Sequence, residues 1–115
     1  MSNTETLVAT VEVRPTEHPY VVCVPGIAGG EPIIKGTRVS VRAIAMHYKA
    51  GETLEEILDA YPHVPPAAVL DAISYYLDHQ EEIERLIEEN RPDTVMERYQ
   101  QWIGTKGQPG TLWVR

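Results

Sequence analysis

Four cations and a threonine hydroxyl share a short stretch of an otherwise acidic chain. Lys35, Thr37, Arg38, Arg42 and Lys49 fall between residues 32 and 51, a segment without a single acid and with a charge of +4. The whole 115-residue chain carries −7, and residues 52–93 alone carry −10. Lysine and arginine neutralise phosphate, and a hydroxyl can donate to phosphate oxygen, so this pattern points to contact with a nucleic-acid backbone. A structural reading stands beside it. Thr37 and Arg38 could lock a turn onto the helix that follows, with Arg38 paired to Glu31 or Glu56.

Other chemistries find little support in residue types or spacing. His18, His47, His63 and His79 show no His-x-x-x-His spacing and no neighbouring cysteine pair, so no metal site is expected. The lone Cys23 excludes an internal disulfide and sits in an apolar run, where it reads as a small buried hydrophobe. No Ser/His/Asp order, phosphate-binding loop or paired-carboxylate motif stands out, so neither an enzyme nor a cofactor is expected. Glu81, Glu82, Glu84, Glu88 and Glu89 read as a solvated acidic helix face or as a surface for a basic partner. The first residues lack the basic start and long apolar run of a signal peptide, and no apolar run reaches the roughly 20 residues that span a bilayer. A cytoplasmic protein is the expectation.

These residues need elements to position them. Gly29 to Val41, GGEPIIKGTRVSV, reads as two very short strands around a tight turn, with Gly36 free to take positive φ. Leu7 to Val13 alternates like a half-buried strand, Arg14 to Pro19 reads as a loop, and Tyr20 to Val24 as a second β-rich run. Ser40 is placed to cap a helix whose face is Val41, Ile44, Ala45 and Tyr48, with Gly51 as its terminator. Thr53 and Glu56 form a capping box for a short helix that Pro62 stops. Pro65-Pro66 opens a third helix. Its seam of Val69, Ile73, Tyr76, Leu77, Gln80, Ile83 and Ile87 fits one long helix or two with a bend near His79-Gln80. Val95, Met96, Tyr99, Trp102 and Ile103 suggest a last short helix, and Gly104 to Gly110 a flexible loop. The apolar tail with Leu112 and Trp113 needs cover from the core or a partner. The predicted fold is therefore mainly α with a small β part. Helix, short break, helix and then a Pro-Pro turn into a longer helix is the layout of a helix-turn-helix unit, here with short N-terminal strands and a hairpin. The first turns of its third helix, with Ala67, Ala68, Leu70, Asp71 and Ser74 exposed, hold no side chain suited to reading base edges before Gln80. Any DNA contact must then come from the basic segment.

The hairpin joined to the helices that follow resembles the domain-of-unknown-function 433 family. The resemblance rests on Gly30, Pro32, Ile34, Gly36, Thr37 and Arg38, on Gly51, on Glu55 to Leu58, on Tyr61-Pro62, and on Ala72 to Tyr76. It implies a helix-turn-helix or winged-helix-like domain over residues 20–90; residues 1–19, read as an N-terminal strand or arm, and 91–115, read as a C-terminal arm, lie outside the motif. It also implies an antitoxin-like role in a type II toxin–antitoxin pair, with a PIN-like nuclease as toxin, a homodimer, and operator DNA as a further partner. On that reading Lys35, Thr37, Arg38, Arg42 and Lys49 contact DNA, while Trp102, Leu112 and Trp113 cover the nuclease. The alternative is a homo-oligomeric interaction module that binds no nucleic acid. Pro65 stands where the family usually has Ser or Thr.

Overall fold

In the computed structural model, which describes residues 12–106, the chain opens on a three-stranded antiparallel sheet ordered β1-β2-β3. The strands are β1 (Arg14–Pro15), β2 (Val21–Cys23) and β3 (Pro32–Ile34). Two expectations shift here. Arg14 and Pro15, expected in a loop, form the edge strand, where a proline's missing N–H costs no ladder bond. The alternating stretch meant as the first strand reaches the described residues only at Glu12 and Val13, which lie outside any strand; Leu7 to Val11 lie outside the described residues. The expected hairpin is also reduced. β3 pairs with β2, Val21 opposite Ile34 and Val22 opposite Ile33. The returning arm contributes one bridge between Ile33 and Ser40 and the Ile34 N–H bond to the Val39 carbonyl, 2.8 Å. It stops there because Ser40 already caps a helix.

Alternation along β2 and β3 sends side chains to both faces. Val21 and Ile34 are fully buried on the side covered by α1 (Val41–Lys49) and α3 (Pro66–Asp78). On the other face Val22, Val24 and Ile33 cluster with Ile27 and Ala28.

The helices begin and end where their capping residues dictate. The Ser40 hydroxyl accepts the Ala43 N–H at 3.0 Å and starts α1. At its far end Gly51 takes φ +83, and the N–H groups of Gly51 and Glu52 bond the Tyr48 and His47 carbonyls, a Schellman closure. α2 (Leu54–Ala60) starts on the expected capping box: Thr53 Oγ1 accepts from Glu56 N–H, and Glu56 Oε1 accepts from Thr53 N–H at 2.8 Å. α3 starts at Pro66 after Pro65, with no side-chain cap. α1 packs chiefly on α3, and α2 rests on both. Ile44, Ile57, Val69 and Ala72 seal this junction. Burying each of the larger three contributes about 1.5–3 kcal/mol before entropy is counted.

The long seam resolves into two helices. His79 leaves helical geometry (φ −132°, ψ 47°), and α4 runs Gln80–Glu89. By its contacts the chain divides into two compact units between Ile83 and Glu84, within α4. In the second unit Asn90 closes α4 by donating to the Leu86 carbonyl, and Arg98 on α5 (Pro92–Lys106) donates to the Glu89 carbonyl, both at 2.7 Å. α5 continues through Gly104, which sequence reading put in a loop. One glycine costs a helix about 1 kcal/mol, too little to stop it before the next breakers, Gly107 and Pro109. No helix among the described residues is long and apolar enough to cross a membrane.

Candidate functional site

The basic turn is built by its own backbone. Thr37 N–H bonds the Ile34 carbonyl at 3.0 Å, and Gly36 sits at φ +80, which the third position of such a turn favours in glycine. Thr37 Oγ1 donates to the Ile34 carbonyl at 2.8 Å and accepts from Val39 N–H at 3.0 Å. Its hydroxyl is thus committed to the turn, and a role donating to phosphate would require breaking it. Arg42 is committed as well: Nε donates to Glu31 Oε1 at 3.1 Å, and both side chains are largely covered. The lock expected of Arg38 with Glu31 or Glu56 is therefore made by Arg42, while Glu56 serves its capping box. Arg38 and Lys35 are exposed, and no acid among the described residues pairs with either. Both line an open groove of about 420 Å³ on the outer sheet face, shared with Val13, Val22, Val24, Ile27 and Ile33. Lys49 lies apart, at the other end of α1 and about 10 Å along the axis from Arg42. The five residues expected to act together are thus one exposed pair, two structural side chains and one distant lysine.

The outer face of α3 is apolar. Leu70 and Leu77 are about half exposed, with Ala67 and Ser74 on the same side. Two residues expected on that face are not simply exposed. Ala68 is buried, and Asp71 is drawn in by the loop before β2. Asp71 Oδ1 lies 2.9 Å from His18 Nδ1, and its Oδ2 accepts the Tyr20 N–H at 2.8 Å.

This second constellation has no sequence spacing to announce it. His18 is nearly buried, and its Nε2 lies 2.8 Å from Asp78 Oδ2. His79 Nε2 meets the Glu17 carboxylate, and its Nδ1 is 3.9 Å from Glu82. Tyr75 stacks on His79 at 4.2 Å and donates its hydroxyl to Glu82 at 3.0 Å. The Asp71 hydrogen bond, seconded by Asp78 and opposed by burial, raises the His18 pKa. Its own backbone N–H, and then His79, hold the Glu17 carboxyl below its ordinary value. Burial, and then Glu82, push the Tyr75 phenol up. Burial likewise raises the Cys23 thiol, which suits the inert role expected of it. The one signal available in the sequence was a repeated dipeptide: an acid followed by histidine, at Glu17-His18 and again at Asp78-His79.

Residues 21–76, which contain the turn, the three helix starts and Asp71, match the family model described as "Protein of unknown function (DUF433)". Over this segment the chain matches the DUF433 family. A crystal structure of a DUF433 member from Anabaena variabilis superposes with a TM-score of 0.57 at 24% identity, covering 76% of this chain and 77% of that one, a likeness of fold. The uncharacterized protein y4eO of Sinorhizobium fredii is 45% identical over 38 residues, 33% of this chain but 17% of the relative. The match therefore spans a small part of that relative's length. The basic turn lies within the DUF433 segment. The two acid–histidine dipeptides lie just outside its two ends, and only Asp71, Tyr75 and their α3 neighbours belong to it.

Of the residues expected to face a protein partner, Trp102 is on α5, 44% exposed and stacked near Tyr99 with ring centroids 6.0 Å apart. Leu112 and Trp113 lie outside the described residues.

Proposed function

We propose that this DUF433 protein is the antitoxin of a type II toxin–antitoxin pair, with a PIN-like nuclease as the toxin it holds. The observation that carries the proposal is the division of the chain. A helix-turn-helix unit is followed by a separate helical unit whose α5 leaves Val95, Met96 and Trp102 about half exposed. Exposed aromatic, aliphatic and sulfur side chains along one helix are what a binding helix offers a partner. In this arrangement Lys35 and Arg38 supply phosphate contacts when the first unit meets its operator, and a dimer doubles them. Co-expression with the product of the adjacent gene, followed by pull-down, tests the nuclease contact. Trp102→Ala in the full chain should weaken capture at least tenfold; equal capture would remove α5 from the interface.

The α3 outer face favours a second reading, a homo-oligomeric interaction module without nucleic acid. Ala67, Leu70, Ser74 and Leu77 offer an apolar strip where a DNA-reading helix would carry polar and basic groups. A mobility shift on the protein's own promoter at about 50 mM salt separates the two, since phosphate contacts are strong there. A shift lost in the Lys35→Ala/Arg38→Ala variant supports operator binding. No shift from the wild-type protein leaves the interaction module.

A further inference from the structure

We propose that Glu17, His18 and His79 form a binding site for a divalent transition-metal ion of the zinc class. One ligand atom from each of the three lies within 4.8 Å of the other two. Ligands of a bound zinc-class ion sit about 3.3 Å apart, given metal–ligand distances of about 2.0–2.1 Å. Exposed Glu17 and half-exposed His79 can close the remaining gap by small side-chain rotations. Two imidazoles and a carboxylate are a donor set that suits zinc, cobalt(II) or nickel(II) better than calcium or magnesium.

Three further features fit this chemistry. His18 is oriented by Asp71, whose carboxylate takes Nδ1 and leaves Nε2 facing Asp78. A carboxylate behind a ligating imidazole fixes its tautomer and strengthens it as a ligand. His79 has its own backing, with Glu82 on the Nδ1 side and the Tyr75 ring stacked beneath. The break between α3 and α4 falls at His79, with neither glycine nor proline there to cause it, and it places the ring beside Glu17. An arriving ion would displace the protons now shared in the His18–Asp78 and His79–Glu17 contacts and release them to solvent. It would clip the loop before β2 to the α3–α4 corner, with water completing its coordination.

The competing arrangement is a purely protonic one, in which imidazolium groups bridge the carboxylates and metals are ignored. Cobalt(II) separates the two. Full-length protein stripped with a chelator is titrated with cobalt(II) and followed by its visible d–d absorption, and thermal unfolding is measured with and without zinc. The expected results are one ion per chain, a visible band and a raised unfolding midpoint. His79→Gln and Glu17→Gln, both at accessible positions and checked for folding by circular dichroism, should each weaken binding tenfold or more. His63→Gln should bind as the wild type does. Absence of a band in millimolar cobalt(II), or unchanged affinity in both folded variants, overturns the proposal.

Discussion

The Ile34–Arg38 turn and the His18 corner are both held by side-chain hydrogen bonds, yet they are assembled in opposite ways. Every side-chain bond of the turn joins residues within a few positions of each other: Thr37 to Ile34, and Val39 to Thr37. In the corner, His18 reaches Asp71 and Asp78 across 53 and 60 positions. The turn is neutral inside and points its two charges at solvent. The corner gathers two imidazoles and four carboxylates, with His18 nearly buried. A local motif can form before the rest of the chain has folded. The corner exists only once the sheet has docked on α3, so it reports on the whole first unit and couples it to protons or metal ions.

The sharpest way to break this contrast is Asp71→Ala. It removes the partner of His18 Nδ1 and of the Tyr20 N–H together, and should cost about 2–4 kcal/mol in urea unfolding. A cost below that of a turn substitution would mean that the corner is not the stronger hub. Within the turn, Thr37→Val should cost about 1–2 kcal/mol, and Gly36→Ala about 1 kcal/mol because alanine is strained at φ +80.

A pH titration sharpens the comparison further, because only the corner should respond. Folding raises the His18 pKa, so its stabilisation is full below the unfolded value of about 6.5 and is lost as pH climbs through the higher folded value. In chelator-treated protein the urea midpoint should therefore fall across that window, and Asp71→Asn should flatten the fall. A wild-type profile as flat as that of Asp71→Asn would count against a charged His18. The smallest effect is expected at the tip of the turn. Lys35→Ala with Arg38→Ala should change stability by less than about 0.5 kcal/mol, so any loss of DNA or partner binding in that variant is read directly.

Helix ends were the most legible part of the chain. Ser40, Gly51, Thr53, Glu56 and Pro66 each satisfy or forgo backbone groups within one turn, and all five stand where their chemistry places them. The mainly α fold with a small β part was legible for the same reason, whereas the seam from Val69 to Ile87 fitted one helix or two and only the structure breaks it at His79. Strand pairing was not legible. β1 at Arg14–Pro15 is too short for a period-two pattern, and β3 took β2 as its partner because Ser40 ends the returning arm.

What the sequence determined by itself was therefore the local grammar: caps, turns, apolar faces and the basic island, all set by interactions over a few residues. Tertiary structure alone decided which charges are spent and which are available. Arg42 rather than Arg38 meets Glu31, because α1 carries Arg42 back over the start of β3. Glu17, His18, Asp71, Asp78 and His79 converge because the loop before β2 docks at the end of α3. Contacts over such separations follow from packing, and no short spacing encodes them.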